Sequence, residues 1–168
     1  KKHELILVDS HEMLALLPDE DFIKKLPGYY PKECQWLFDN YQKKINAILT
    51  YSVLHYVFAE GNLFNFLDCS LGLLADGGEM LIGDIPNVSK RKRFFSSQNG
   101  ILFHQAFMNT KEMPEVKFNS IEENQIDDSV ILAITNRARY SGFDAYILPQ
   151  AANLPMANRR EDILIKKP

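Results

Sequence analysis

The chain has 168 residues, 46% of them hydrophobic and 24% charged, and a formal net charge of −3. That is the profile of one globular domain with a sizeable core, and its acidic balance excludes broad nucleic-acid binding, which needs a basic surface. Two cysteines, Cys34 and Cys69, give neither a disulfide framework nor a metal pattern, and no apolar run approaches the ~18 residues of a membrane span, so a reducing, cytoplasmic setting is expected.

"ELILVDS" opens the chain as a compact apolar run ended by an acid and a serine, and predicts a strand buried on both faces. "HEMLALLPDEDFIKKL" has helical character broken at Pro18, and the proline-bounded "PGYYPKECQ" predicts a turn with a short edge strand. A second buried strand is expected from Ile45 to about Thr50, passing through Tyr51 and Ser52 into a loop or short helix. Asn62 is placed to cap a helix whose Leu63, Phe66, Leu67, Leu71 and Leu74 share one face, with Asp76-Gly77-Gly78 as its stop. "EMLIGD" predicts a third strand. A helical insertion follows at about 88–124, in two pieces divided near Asn99-Gly100, and its basic run Lys90–Arg93 reads as a solvated helix face.

The strongest helix signal is "DDSVILAITNRARYSG". Asp127 and Asp128 stand where the dipole favours anions, Arg137 and Arg139 where it favours cations, and Val130, Ile131, Ile134 and Ala138 form the buried stripe. "FDAYIL" and "EDILIKK" are two closing strands with no helix between them, so one must run antiparallel to the rest. The expected fold is α/β, doubly wound, a mainly parallel sheet with one antiparallel strand near the C-terminus, built as a single domain over 1–168.

Ligands of open parallel sheets sit beyond the carboxyl ends of the strands. Those ends carry Asp9-Ser10, Tyr51-Ser52, Asp84 to Asn87 and Pro149-Gln150; the loop after "FDAYIL" adds Asn153, Asn158, Arg159 and Arg160. Asp9 fits two roles equally: a carboxylate accepting from ribose hydroxyls, or, with Ser10, the start of a helix. His55 suits a general base or a substrate contact, and equally a half-buried helix histidine. His104 is more ambiguous still. No metal site is expected, since no spacing requires one.

Taken together, "LILVDSHEML", "INAILTYSVLHYV", "LLADGGEMLIGDIPN" and "GFDAYIL…REDILIKK" resemble the class I S-adenosylmethionine-dependent methyltransferases over nearly the whole chain. The resemblance implies a Rossmann-like fold and S-adenosylmethionine as methyl donor. It implies that Asp9 and Ser10 meet the donor's ribose and that Tyr51 and Ser52 pass beside its methionine part. It further implies that His55, Tyr56 and the Asp84–Asn87 segment border the acceptor. His55 is the expected catalytic base, with Tyr51 and Asp84 in support; Tyr56, Asn87, His104 and Arg159 complete the expected acceptor contacts, for a small polar or anionic molecule.

One departure is large. The family's glycine-rich loop follows a first strand that precedes the acid, and Lys1 stands only a few residues before the strand ending at Asp9. The expectation is a fold that lacks its first, central strand, between Glu4–Val8 and Ile45–Thr50, to be completed by a segment before Lys1 or by another copy of the chain. Two other readings stand beside it. One is a nicotinamide-dependent Rossmann oxidoreductase or epimerase, for which Asp9 serves equally well; the other is a non-catalytic interaction module that kept the fold.

Overall fold

A computed structural model describes residues 3–168. The chain runs β1 (Leu5–Asp9), α1 (His11–Ala15), β2 (Ile23–Pro27), α2 (Gln35–Tyr41), β3 (Ile45–Tyr51), α3 (Leu54–Glu60), α4 (Leu63–Leu73) and β4 (Leu74–Pro86). It continues with α5 (Val88–Phe95), α6 (Gln98–Met108), α7 (Asp128–Tyr140), β5 (Asp144–Pro149), a 3₁₀ turn (Ala157–Arg159) and β6 (Arg160–Lys166). Short polar side chains start the helices. Ser10, Asn62, Asn87, Ser97 and Asp127 each accept from a backbone N–H two or three residues on, satisfying donors a helix leaves open at its start.

Two sheets form. β1 pairs with β2 in parallel, and a four-stranded sheet has the order β3-β4-β6-β5. β3 and β4 are parallel, while β6 runs antiparallel to both of its neighbours, β4 and β5. The sheet is therefore mixed rather than mainly parallel. The closing pair does contain one reversed strand, but β6 inserts between β4 and β5 instead of lying at an edge, so it makes two of the three pairings antiparallel.

Met80 and Ile82 of β4 and Ile163 and Ile165 of β6 are buried in one cluster with Phe66, Leu67 and Leu71 of α4 and Ile131, Ile134 and Ala138 of α7. These are the helix stripes expected from periodicity. On the opposite face the register sets Leu49, Leu81, Leu164 and Tyr146 in one row across the sheet. That row is not closed over: Leu49 is 67% and Tyr146 45% exposed. A smaller cluster of Cys34, Leu37 and Leu73 takes Ile6 and Val8 from β1 and Ile45 and Ile48 from β3. The two strands thus share a core, yet among the described residues no ladder joins them.

Three expectations are corrected, and one helix comes without a sequence signal. The segment 19–27 is not helix: Pro18 ends the helical stretch and Ile23–Pro27 pairs with β1. α2, from Gln35 to Tyr41, has no side-chain cap to announce it and is held by buried Leu37. The Asp76-Gly77-Gly78 brake does not stop α4, which ends at Leu73. It lies inside β4, where the partner of Ile45 is Leu74 but that of Ala47 is already Glu79. Gly77, at φ +73°, turns this bulged excursion. The insertion is helical only as far as Met108, and its break falls at Ser96-Ser97.

Gly100 lies inside α6, buried against α5. A Cβ there would stand 1.9 Å from the Phe94 carbonyl oxygen, which belongs to the backbone and cannot swing aside. Gly100→Ala is expected to destabilise the fold by about 2 kcal/mol or more through overpacking, read from the midpoint of urea unfolding.

Candidate functional site at the carboxyl edge of the sheet

β4 leaves the sheet through a bulge. Ile82 pairs with Ile163 and Ile85 with Glu161, so Gly83 and Asp84 together oppose Asp162. Asp84 takes φ +56° there, and its backbone N–H donates to Asp162 Oδ1 at 2.9 Å. On β3 the matching strand end, Ser52, has φ +57°. Two non-glycine residues in the left-handed region at adjoining strand ends cost about 1 kcal/mol or more each and persist only where surroundings hold them. Here the Ser52 hydroxyl donates to Asp84 Oδ2. The Tyr51 ring lies on Gly83, where a Cβ would come within 2.6 Å of it; only glycine admits that approach.

The second Asp84 oxygen faces the last two strands. Gln150, just past β5, brings Nε2 to 3.3 Å from both Asp84 Oδ1 and Asp162 Oδ1. Arg160, at the start of β6, sets Nε 3.6 Å from Asp84 Oδ1 and donates to the Asp84 carbonyl at 3.3 Å. β3, β4 and β5 therefore end, and β6 begins, on one half-buried polar network. His55, in the first turn of α3, borders it. Its Nδ1 is buried without a hydrogen-bond partner. Burial, and then the Arg160 charge, hold its pKa below the ordinary histidine value, against a smaller upward pull from Asp84. The imidazole is neutral at neutral pH, with a nitrogen lone pair uncommitted.

The structure brings His55, Tyr51, Ser52 and Asp84 together. The Tyr56 ring lies beside that of His55, 4.0 Å between centroids and tilted by 39°, and is mostly exposed. His104 and Arg159 gather elsewhere, around Phe95: the His104 ring is 6.2 Å from it edge-on, and the Arg159 guanidinium lies 5.6 Å over its face. His104 lines a shallow cleft there with Arg91, Lys92 and Pro114. Asn87 is 1% exposed and wholly engaged. Its Oδ1 accepts from the N–H groups of Ser89 and Lys90, and its Nδ2 donates to Asp128 and Glu161. At β1, Ser10 is the helix cap, and among the described residues the exposed Asp9 carboxylate accepts only the Ser10 N–H, on Oδ1. Among the described residues no group of three or more His, Cys, Asp or Glu is placed to hold a metal ion. Nor is any helix long and apolar enough to cross a membrane.

Three members of the network carry different sequence signals. Gln150 and Arg160 stand in the predicted strand-end set, although Arg159 is the arginine expected to touch the acceptor. Asp162 is absent from that set. It is the last of three charged residues that open β6, and only the register, which sets it opposite Gly83 and Asp84, marks it out.

No family model and no curated protein sequence matches the chain. Solved structures do. A candidate O-methyltransferase of Nostoc punctiforme is 14% identical, with a TM-score of 0.54 over 98% of this chain and 45% of its own. The plantazolicin methyltransferase BpumL, solved with a triazolic desmethyl analogue and SAH, is 13% identical, with a TM-score of 0.55 over 98% of this chain and 68% of its own. The chain thus spans less than half the length of the first and about two thirds of the second. Its α/β architecture, with β6 reversed between β4 and β5, is the class I fold of the S-adenosylmethionine-dependent methyltransferases.

Proposed function

We propose that the chain is an S-adenosylmethionine-dependent methyltransferase, or its larger part, acting on a small polar acceptor at the carboxyl edge of β3, β4 and β5. The observation that carries this reading is the network of Ser52, Asp84, Gln150, Arg160 and Asp162 beside an uncommitted, neutral His55, where α/β folds bind ligands. Methyl transfer is an in-line displacement, so the protein chiefly positions donor and acceptor, and a base is needed where the acceptor must lose a proton. His55 is that base. Tyr51 and Ser52 flank the donor side, with Asp9 on its ribose, through the oxygen its neighbour Ser10 leaves free.

The donor half of this site is unfinished. β1 and β3 share a core without a ladder, and Leu49 stands open on the bare face. A further strand between β1 and β3, followed by a glycine-rich loop and a helix over Leu49, would close both and let backbone approach the donor. We place that segment in the same polypeptide, outside these residues.

Calorimetric titration of S-adenosylmethionine is expected to show weak binding to residues 1–168 and micromolar binding to the protein that contains the additional segment. Tight binding by residues 1–168 alone would overturn the divided donor site; silence from both proteins would overturn the methyltransferase. Titration with NAD in parallel checks the nicotinamide reading, which no feature of the network favours.

A further inference from the structure

The cations on and near α5 are not equally paired. Lys90 Nζ donates to the Arg160 carbonyl at 2.7 Å, Arg91 pairs with Glu122 at 2.7 Å, Lys92 reaches both Ser120 and Glu122, and Arg93 pairs with Asp128. Arg159 has no such partner. Its guanidinium lies 5.6 Å over the Phe95 ring, and among the described residues no carboxylate or carbonyl accepts from it. The side chain is half-buried, yet its nitrogens keep accessible surface. Burial, and then the like charges of Arg160 and Arg91, press its pKa below the ordinary arginine value, a crowding that a bound anion would relieve.

Phe95 is also a wall of the cleft between α5, α6 and the segment 114–122, which has a volume of about 230 Å³. Pro114 and Val116 give that cleft apolar lining, and His104 adds a second flat ring, half-buried and without a hydrogen-bond partner among the described residues. The carboxylates of the cleft are already engaged, Glu122 by Arg91 and Lys92 and Glu115 by Lys117. One guanidinium is therefore left over beside a small, partly apolar cleft, with its donor fork open. That suits a single negative charge. A phosphate dianion would want a second uncommitted cation, and an ammonium group would meet Arg159 with no uncommitted carboxylate to hold it.

We infer that this cleft takes a small aromatic carboxylate, its ring against Phe95 and His104 and its carboxylate on the Arg159 guanidinium. Arg160, the next residue, belongs to the Asp84 network, so the cleft adjoins the acceptor position proposed above. As an acceptor subsite it rests on the methyltransferase reading; as a binding site it is a property of these side chains alone. It narrows the polar or anionic molecule expected from sequence to one chemical class, and it gives His104 and Arg159, which stand apart from the Asp84 network, a common task.

The experiment is NMR titration of the full-length protein with benzoate and, separately, with benzyl alcohol, which has the ring without the charge, and inorganic phosphate, which has charge without the ring. Benzoate is expected to shift the Arg159 Nε–H and His104 imidazole signals saturably, and the other two to bind at least about tenfold more weakly, the scale of hydrogen bonds to a charged group. Arg159→Gln should weaken benzoate by about the same factor and leave benzyl alcohol unchanged; Arg159→Lys, which keeps the charge but not the fork, should fall between. If neither variant folds, the selectivity of the unmodified protein decides. Benzoate binding no tighter than benzyl alcohol or phosphate, or a folded Arg159→Gln protein binding it as well as the native one, overturns the inference. Donor calorimetry separates the two ideas. Benzoate selectivity without donor binding leaves the binding site standing and ends the methyltransferase reading, and donor binding without benzoate selectivity does the reverse.

Discussion

Replacing Asn87 with alanine should lower the unfolding free energy by about 3 kcal/mol, the sum of a lost helix cap and of buried polar groups left unpaired. Asn87 ends β4 and starts α5, and its amide is the joint of three elements. Oδ1 closes the first turn of α5 through Ser89 and Lys90, at 2.9 and 3.1 Å. Nδ2 reaches Asp128, at the start of α7, at 2.8 Å, and Glu161 of β6 at 2.7 Å. Removal leaves two carboxylates facing one another without the donor that separates them, and of the two Asp128 keeps a direct ion pair, with Arg93 at 2.5 Å. Arg93 already holds the Asp128 carboxyl below its ordinary pKa, so that aspartate stays charged in the variant and the repulsion persists. Asn87→Asp keeps the cap acceptor but sets a third carboxylate against Asp128 and Glu161 in a buried site, so it should be no more stable than the alanine variant. Chemical denaturation of all three proteins reads the order directly. A variant as stable as the native protein would return Asn87 to the acceptor contacts that its position after a strand suggests.

Asn87 shows where the sequence is legible and where it is not. A short polar residue after an apolar run announces both a strand end and a helix start, and in the sequence it reads as the border of a binding site. The strand end and the helix start are both present, yet the side chain is consumed by partners 41 and 74 residues away, and nothing in a local window shows a long-range partner. The same limit explains Asp162, whose importance comes from register across β4, β6 and β5. Periodicity yields α4 and α7 with their buried faces because each helix meets the core along one stripe. It misses β2 because Ile23 and Leu26 are spaced as a helix would space them, and only pairing with β1 makes them a strand. The two glycines after Leu74 carry a real backbone signal, a left-handed turn, but the turn serves a bulge within β4 rather than the end of α4. The mixed sheet has the same origin: two adjacent strands without a helix require a reversal, but not a place in the order.

His55→Ala, made in the full-length protein, should reduce methyl transfer by about 10²- to 10⁴-fold where the acceptor must lose a proton, the range for a positioned general base. Donor affinity should stay within about twofold, since no donor contact is assigned to this side chain. The pH dependence comes from the direction of its pKa. Burial and Arg160 place it below 6.5, so the base is already free of its proton at neutral pH, and the acid limb of kcat/KM lies below the position of an ordinary histidine. Arg160→Gln removes one of the two causes and should move that limb upward, toward 6.5. Stability has a matching sign. The unfolded chain takes up this proton near 6.5 and the folded chain only at lower pH, so acidification through that window favours unfolding while neutral pH carries no such cost. His55→Gln should therefore lose part of the pH dependence of stability between the two pKa values and keep the rest. A structural histidine would show the stability effect alone. A catalytic base shows the same window twice, once in the melting profile and once in the acid limb of the rate, and Arg160→Gln should displace both together.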